Sequence, residues 1–292
     1  MRKMGFLGLG VMGLPMAINL AKKNNETVMG YDVFEERRNI FKDKGGIPVD
    51  NVENIYKNCD IIFLSLPTND IAKNSIQQII ELGRKGTIIV DLGSTAPNVM
   101  RELYEKAKAK GIKLLGSPVS GGEPGAINGK LVIMCGGDKD VFNEMEPILL
   151  KIGSNATYMG SIGCGNVAKL ANNMMVAIHL GAVVEAYTFA VKGGLDPNLL
   201  FSAIKEGSAG STVMNQKVPK IISRDFSASA KMALHLKDLM NAKQLASEMN
   251  VDIPLSEMII DFMNEMKNEG KIKEDHCAIV KVYEKKMGIE VK

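Results

Sequence analysis

The sequence has few of the residues on which metal sites and disulfide frameworks depend. Its 292 residues include three histidines, four cysteines and no tryptophan. The cysteines are far apart and form no C-x-x-C pair, which argues against a zinc site and against disulfide bonds. The histidines stand singly, without a partner at metal-ligand spacing, so no metal is expected. Unpaired cysteines are typical of a reducing compartment, and the predicted location is therefore the cytoplasm.

The sequence also lacks a clustered basic face and an uninterrupted apolar run long enough to span a membrane. Basic and acidic residues number 36 and 33 and are mixed along the chain, so no nucleic-acid partner is expected. The longest apolar stretch, residues 166–192, contains Lys169, His179 and Glu185 and is predicted to be a buried helix, with no membrane as partner. The apolar residues after Met1-Arg2-Lys3 are broken by glycines, so no signal peptide is expected.

Two different patterns divide the sequence. In the first half, short apolar runs alternate with helix-patterned segments, which predicts an α/β domain with a doubly wound, mainly parallel sheet. Beyond it the patterns are helical, which predicts an all-α domain led by one long helix. The predicted domains are residues 1–161 and 162–292. The predicted strands are Met4–Gly8, Thr27–Tyr31, Ile61–Leu66, Thr87–Asp91, Lys113–Leu115 and Leu131–Cys135.

A glycine-rich turn directly after the first predicted strand is the most informative motif. It reads Gly8-Leu9-Gly10-Val11-Met12-Gly13. In the G-x-G-x-x-G pattern the first glycine turns the chain tightly and the second lets backbone amides approach a pyrophosphate. The third lets the next helix pack closely on the strand, with its positive end directed at the phosphates. The motif therefore predicts a dinucleotide-binding domain.

An acidic residue stands where a dinucleotide would need it. The second predicted strand is followed by Asp32, nineteen residues after Gly13. At this position a carboxylate accepts hydrogen bonds from the adenosine ribose hydroxyls. Leu66 and Pro67, at the end of the third predicted strand, are expected at the same edge of the sheet, where ligands bind in such folds.

Two segments are candidates for substrate chemistry. Ser120, Gly121 and Gly122 offer a hydroxyl and two backbone amides, which suits a carboxylate; the alternative is a tight loop that merely requires glycine. Lys169 shares one face of the long helix with Asn172 and Asn173. A lysine partly removed from water can exchange a proton near neutral pH. The alternative is a lysine that reaches solvent, beside helix-capping amides.

Two further residues are weaker candidates. Thr95 follows the fourth predicted strand and could touch a nicotinamide, although a cap for the helix that starts at Pro97 is equally consistent with the pattern. Lys237 could reach the cofactor, although exposed helical charges are more usual.

Together these motifs resemble the β-hydroxyacid dehydrogenases, the family that includes 3-hydroxyisobutyrate dehydrogenase. The resemblance covers nearly the whole chain. It depends on residues 8–17, on Ser117-Pro118-Val119-Ser120-Gly121-Gly122, on Gly163-Cys164-Gly165-Asn166 leading to Lys169, and on Lys237-Asp238-Leu239. The family fold implied is a Rossmann domain followed by an all-helical domain, and the assembly implied is a homodimer or homotetramer.

The resemblance implies a role for each site residue. Lys169 would be the general acid and base, and Asn173 would orient the substrate. Thr95 and Lys237 would lie beside the nicotinamide. The substrate carboxylate would be held by Ser120, Gly121 and Gly122.

The reaction implied is hydride transfer between NAD(P) and a small anionic hydroxyacid or its semialdehyde. Within the family the sequence is most similar to the reductases of tartronate semialdehyde (2-hydroxy-3-oxopropionate), on residues 121–127, 207–213, 233–239 and 275–278. Alternative substrates are 3-hydroxyisobutyrate, 2-(hydroxymethyl)glutarate and 4-hydroxybutyrate. A non-catalytic dinucleotide-binding module is the alternative of a different class, and the presence of Lys169 argues against it.

Two positions depart from the family pattern. Gly116-Ser117 stand where the family usually has Asp-Ala, and we expect altered packing there. The sequence Tyr31-Asp32-Val33-Phe34 has no arginine directly beside the acid, so the carboxylate would repel a 2′-phosphate, and NAD is the expected cofactor. Arg37 and Arg38 lie nearby and leave NADP as the alternative.

Overall fold

The chain forms two compact units. The computed structural model describes residues 2–23 and 27–292. One unit extends to Lys169 and the other begins at Leu170. This division falls inside the long helix Cys164–Lys192, whereas the predicted domain boundary after residue 161 stays a prediction.

The first unit contains one sheet flanked by helices. Its strands are β1 (Met4–Leu7), β2 (Val28–Tyr31), β3 (Ile47–Pro48), β4 (Ile61–Leu64), β5 (Ile88–Asp91), β6 (Lys113–Gly116), β7 (Val119–Ser120), β8 (Leu131–Gly136) and β9 (Gly153–Gly160). Its helices are α1 (Gly13–Lys23), α2 (Glu35–Asp43), α3 (Glu53–Asn58), α4 (Asn69–Leu82), α5 (Pro97–Ala109), α6 (Gly122–Asn128) and α7 (Lys139–Leu149). The strand order is β3-β2-β1-β4-β5-β6-β8-β7, with β9 paired to β8.

The sheet is mainly parallel and doubly wound, as predicted. Strands β1 to β6 pair in parallel, and β8 is antiparallel to β6 and β7. The register aligns Leu7, Leu64, Asp91 and Gly116 across four neighbouring strands. The loops after β1, β4, β5 and β6 therefore lie side by side at the carboxyl ends of these strands. The strand order reverses between β1 and β4, and ligands bind at such a switch point in open α/β sheets.

Both faces of the sheet are covered by helices. On β4, Ile61 and Phe63 pack with side chains of α1 and α7, whereas Ile62 and Leu64 pack with those of α3, α4 and α5. Successive side chains of a strand point to opposite faces, so a strand buried on both sides needs a continuous apolar run. This is why the central strands could be predicted from the sequence.

The predictions missed the short and marginal elements. Strands β3 and β7 have two residues each, and helix α3 has six. Strand β9 carries the polar residues Ser154, Asn155 and Thr157, and all three are exposed. Because β9 lies at the end of the sheet beside β8, it needs no continuous apolar run and gives no clear strand pattern.

The second unit is helical, as predicted. It comprises most of α8 (Cys164–Lys192), followed by α9 (Pro197–Ile204), α10 (Thr212–Ile222), α11 (Met232–Met249), α12 (Pro254–Asn268), a 3₁₀ turn (His276–Ile279) and α13 (Val280–Met287). Its core is formed by aliphatic and methionine side chains, among them Val184, Met214, Leu239, Met263 and Val280.

Helix α8 is not buried all round, contrary to the prediction. Met175 is 59% exposed and Phe189 is 81% exposed. By length and composition alone, α8 is also the one helix of the described residues that could cross a membrane. A single such helix is weak evidence for a span, because core helices of soluble proteins meet the same criterion.

The four cysteines are unpaired. Cys59, Cys135 and Cys277 are buried, and Cys164 is partly exposed. Burial raises the pKa of the Cys59 and Cys135 thiols to about 11, so both stay protonated and unreactive near neutral pH. Within residues 2–23 and 27–292, no group of three or more histidine, cysteine or acidic side chains could hold a metal ion.

Candidate functional site

The three glycines of the first loop have different surroundings. Gly8 has φ of +88°, and a methyl group there would lie 2.4 Å from the carbonyl oxygen of Ser65. A methyl group at Gly13 would lie 1.9 Å from the carbonyl oxygen of Gly8, so α1 can begin here only without a side chain. At Gly10 a methyl group would meet nothing within 4 Å. The space over Gly10 is therefore open to a ligand.

The carboxylate of Asp32 holds this loop. Its Oδ2 accepts a hydrogen bond from the backbone N–H of Leu9 at 2.7 Å, and its Oδ1 accepts one from the N–H of Phe34 at 3.0 Å. An ionised carboxylate has about four acceptor positions, so both oxygens keep capacity for further donors such as ribose hydroxyls.

The other residues of the glycine loop have ordinary packing roles. Leu9 is buried in the core, Met12 packs against that core, and Val11 is half-exposed. The open space at Gly10, the start of the eleven-residue helix α1 and the acceptor oxygens of Asp32 together fit a dinucleotide. The phosphates would meet the positive end of α1, and the ribose would meet Asp32.

Arg38 lies beside Asp32 and already has a hydrogen-bond partner and an ion-pair partner. Its guanidinium donates to the Asp32 carbonyl oxygen at 2.7 Å and lies 3.4 Å from Oδ1 of Asp50. Its side chain is only 15% exposed. Arg37 is partly exposed on α2.

Leu66 lies between two loops of the same sheet edge. A methyl group at Gly8 would lie 3.1 Å from Cδ2 of Leu66, and one at Gly93 would lie 3.5 Å from the Leu66 carbonyl oxygen. The next residue, Pro67, is exposed. The structure thus brings the segment after β4 together with the loops after β1 and β5.

Thr95 is fixed by the start of α8. Thr95 is 4% exposed, and its carbonyl oxygen accepts a hydrogen bond from Nδ2 of Asn166 at 2.8 Å. The cap residue of α5 is Ala96, so the interpretation of Thr95 as the helix cap is wrong. Asn166 itself is a buried positioning residue that the sequence analysis did not single out.

The glycine at position 116 makes room for Asn166. A methyl group at Gly116 would lie 2.4 Å from Oδ1 of Asn166, and one at Gly165 would lie 2.2 Å from the Met134 carbonyl oxygen. The first turn of α8 is therefore in close contact with the ends of β6 and β8. Lys169, partly exposed, follows Asn166 by one turn of the same helix.

The backbone of the segment from Ser120 to Gly122 requires its glycines. Ser120 ends β7 and pairs with Val132 of β8. Gly121 and Gly122 have φ of +134° and +62°, which L side chains rarely adopt. Both glycines are exposed. These conformations account for the glycines by themselves, so the carboxylate-binding role stays a prediction.

In the second unit, Asn173 belongs to a buried polar cluster. Its Nδ2 donates to Oδ2 of Asp238 at 2.6 Å, and its Oδ1 accepts from Nδ2 of Asn172 at 2.9 Å. Nζ of Lys237 lies 3.1 Å from Oδ1 of Asp238. Both asparagines lie in the interior of α8, so the alternative that they cap the helix is wrong. Asp238 belongs to the Lys237-Asp238-Leu239 motif, but the sequence did not predict its contact with Asn173.

A cavity of about 480 Å³ lies at the amino ends of β4, β5 and β6. Most of its charged side chains are paired with one another: Arg84 with Asp60, and both Arg2 and Lys113 with Glu144. Open parallel sheets bind ligands at the carboxyl ends of their strands, so this cavity is not the candidate site.

The fold and the loop geometry define a dinucleotide-binding protein of the doubly wound class. Residues 3–160 match the family model described as the NAD binding domain of 6-phosphogluconate dehydrogenase. Residues 163–283 match the one described as NAD-binding of NADP-dependent 3-hydroxyisobutyrate dehydrogenase. The chain belongs to the β-hydroxyacid dehydrogenase family and is an NAD(P)-dependent hydroxyacid dehydrogenase.

Full-length relatives support this assignment. The chain is 35% identical to 2-(hydroxymethyl)glutarate dehydrogenase of Eubacterium barkeri, covering 99% of this chain and 97% of the relative. It is 34% identical to 2-hydroxy-3-oxopropionate reductase of Escherichia coli strain K12, covering 97% of each. The structure of Mycobacterium tuberculosis 3-hydroxyisobutyrate dehydrogenase with L-serine superposes with a TM-score of 0.89 at 26% identity, covering 97% of this chain and 99% of that one.

The substitution Gly10→Val tests the open space in the glycine loop. We expect the melting temperature of the free protein to stay unchanged, because nothing lies within 4 Å of the added carbon. The Kd for NADH, measured by fluorescence titration, should rise at least about tenfold because the side chain fills the phosphate position, a loss of about 1.4 kcal/mol. In the matched variant Gly13→Val the melting temperature itself should fall. Unchanged NADH binding by the Gly10→Val protein would refute the assignment of the loop.

Proposed function

We propose that this enzyme reduces tartronate semialdehyde to D-glycerate. The observation that carries the proposal is the placement of Lys169 and the buried Asn173 one turn apart on α8. This pair occurs in a chain that matches a 2-hydroxy-3-oxopropionate reductase over 97% of its length. A lysine ammonium can protonate the oxygen in a carbonyl reduction, and a fixed amide can orient the substrate.

The segment from Ser120 to Gly122 is proposed to hold the substrate carboxylate. The Ser120 hydroxyl and the N–H groups of Gly121 and Gly122 would donate hydrogen bonds to it. Binding the carboxylate at one end sets which carbon of a short substrate is presented for reduction. Asn173 would then orient the oxygen function of the substrate, since Asp238 and Asn172 fix its amide.

Lys169 is proposed to be the general acid and base. When bound, the nicotinamide supplies a hydride to the aldehyde carbon in reduction and accepts one in oxidation. In reduction, the Nζ of Lys169 donates a proton to the aldehyde oxygen, which becomes the new hydroxyl, and Lys169 regains its proton from water. In oxidation, the same nitrogen accepts the hydroxyl proton.

The dinucleotide is proposed to be held mainly by the first unit, and NAD is the preferred form. The proposed cofactor-binding residues are Gly8, Leu9, Gly10, Val11, Met12, Gly13, Asp32, Leu66, Pro67, Thr95 and Lys237. NAD is favoured because Asp32 presents a carboxylate and because the guanidinium of Arg38 already has the Asp32 carbonyl and Asp50 as partners. The proposed domains are residues 1–161 for the dinucleotide and 162–292 for substrate and oligomerisation.

A second candidate reaction is the oxidation of 2-(hydroxymethyl)glutarate. It is favoured by the relative of that name, which is 35% identical. The purified enzyme should be assayed with NADH and NADPH against tartronate semialdehyde, methylmalonate semialdehyde and succinate semialdehyde, and with NAD and 2-(hydroxymethyl)glutarate in the oxidative direction. The proposal expects the highest kcat/KM for tartronate semialdehyde, and a higher value for any other compound refutes it.

The enzyme is further proposed to be a cytoplasmic homodimer or homotetramer. Exposed residues recur every three or four positions along one stripe of α8. They are Ala171, Met175, His179, Ala182, Ala186 and Phe189. Small alanines beside Met175 and Phe189 suit packing of this stripe against the same stripe of a second copy. A monomeric mass by light scattering at assay concentration would refute the assembly.

The proposed cytoplasmic location rests on the unpaired cysteines.

Replacing Lys169 by alanine tests the acid and base role. We expect kcat to fall by about 10²- to 10⁴-fold, the usual contribution of a positioned proton donor. The Kd for NADH should stay nearly unchanged. Lys192 lies at the other end of α8 and donates to the Met287 carbonyl oxygen, so Lys192→Ala is the matched control and should keep normal turnover. Wild-type kcat in the Lys169→Ala enzyme would eliminate the role.

The cofactor preference is tested by Asp32→Ala. Removing the carboxylate removes both the ribose acceptor and the repulsion of a 2′-phosphate. The ratio of kcat/KM with NADH to that with NADPH should therefore fall by at least about tenfold. The ratio is read from initial rates at matched substrate concentrations. An unchanged ratio counts against Asp32 as the selecting residue.

A further inference from the structure

Two histidines form a buried pair in the second unit. His235 lies on α11 and His276 begins the 3₁₀ turn, and they are 7% and 3% exposed. Their Nδ1 atoms are 2.6 Å apart, and Nε2 of His235 lies 3.0 Å from the carbonyl oxygen of Asn173. The pair therefore connects the 3₁₀ turn to the main chain of a proposed substrate-orienting residue.

For two neutral imidazoles, the hydrogen-bond partners determine which nitrogens carry protons. A carbonyl oxygen only accepts, so Nε2 of His235 must be the donor to Asn173. A neutral imidazole carries one N–H, and Nδ1 of His235 is then an acceptor. Nδ1 of His276 must therefore donate to it, which leaves Nε2 of His276 without a proton. That atom is buried and has no hydrogen-bond partner among the described residues.

The surroundings favour an uncharged His276. Burial, together with the neighbouring His235 and Lys217, holds the pKa of His276 well below its ordinary value, despite the nearby Asp275. Asp275 Oδ1 is 3.9 Å from Nε2 of His276, too far for a hydrogen bond. Its oxygens already accept from Lys217 Nζ, from the Ser229 hydroxyl and from the N–H groups of Ser229, Ala230 and Cys277. A further positive charge beside buried Lys217 would be unfavourable.

Helix α11 therefore holds Asn173 at two points. His235 binds its main-chain carbonyl, and Asp238, three residues later on the same helix, binds its side-chain amide at 2.6 Å. Lys237 Nζ in turn lies 3.1 Å from the other oxygen of Asp238. A displacement of His235 would move the backbone of Asn173 relative to that amide contact.

We propose that His235 and His276 are positioning residues for the hydroxyacid reaction, acting as a neutral pair of fixed tautomers that holds Asn173. The inference rests on the proposed function, because Asn173 must act on the substrate for its position to matter. Neither histidine exchanges a proton with the substrate in this arrangement. Misplacement of a substrate-orienting group by about 1 Å lowers rates by up to about 100-fold, so the effect should appear in substrate parameters.

The tautomers are tested directly on the wild-type enzyme with NADH. The chain has three histidines, so long-range ¹H–¹⁵N spectra of ¹⁵N-histidine-labelled protein can be assigned with single substitutions. At pH 7 we expect His235 with its proton on Nε2 and His276 with its proton on Nδ1. The exposed His179 is the internal comparison. An imidazolium at either position, or His235 protonated only on Nδ1, overturns the inference.

The positioning role is tested with two substitutions of His276. His276→Phe keeps a ring but removes the donor, whereas Nδ2 of the residue in His276→Asn can donate from nearly the place of Nδ1. We expect His276→Phe to lower kcat/KM for the hydroxyacid at least about tenfold with an unchanged Kd for NADH, and His276→Asn to recover most of the loss. Equal kinetics of the two variants, or wild-type kinetics of His276→Phe, overturns the role.

Failure of the proposed function can be told apart from failure of this inference. Asn173→Ala is measured beside the histidine variants. Wild-type kinetics of Asn173→Ala would contradict the substrate role of Asn173, and with it the positioning role. The melting curve of His276→Phe shows whether this variant folds. If it does not, the spectrum of the wild-type enzyme and the kinetics of His276→Asn still test the inference. A wild-type spectrum with other tautomers refutes it.

Discussion

The structure depends on close backbone contacts at the carboxyl ends of the central strands. These contacts are possible only where a residue has no Cβ. Helix α1 begins against the Gly8 carbonyl because Gly13 has no Cβ, and α8 begins against the Met134 carbonyl because Gly165 has none. A side chain at either position would displace the helix start. The open space over Gly10 and the location of Lys169 on the second turn of α8 both follow from these contacts, since a helix is a rigid element once its first turn is placed.

Helix α8 combines polar residues with an apolar sequence, and the buried amides of Asn166 and Asn173 are hydrogen-bonded. Asn166 donates to the Thr95 carbonyl, and Asn173 is bound by Asp238 and by His235. A buried amide without such bonds would cost free energy, so these hydrogen bonds offset the burial and also fix the orientation of each side chain. Each asparagine held in this way has a fixed orientation in the free protein.

The family scaffold and the substrate choice are separate properties of this chain. Two relatives with different named substrates are 35% and 34% identical to it over nearly their whole lengths. The sheet, the glycine loop and the acid after β2 fit a dinucleotide, and a dinucleotide can serve hydride chemistry on many hydroxyacids. Specificity then depends on a few side chains around the substrate carboxylate and the oxygen function, as is usual when one fold serves several reactions.

The sequence by itself determined the central strands, the long helices, the glycine loop with Asp32, and the family. Each of these is a local pattern: a buried strand needs a run of apolar residues, and a phosphate-binding turn needs glycines at set spacings. Only the tertiary structure decided that Asn166 holds Thr95, 71 positions earlier, and that Asp238 holds Asn173, 65 positions earlier. Strand β9 and the histidine pair belong with these. Hydrogen bonds between distant segments leave no periodic trace in the chain, because they depend on where folding brings two surfaces together.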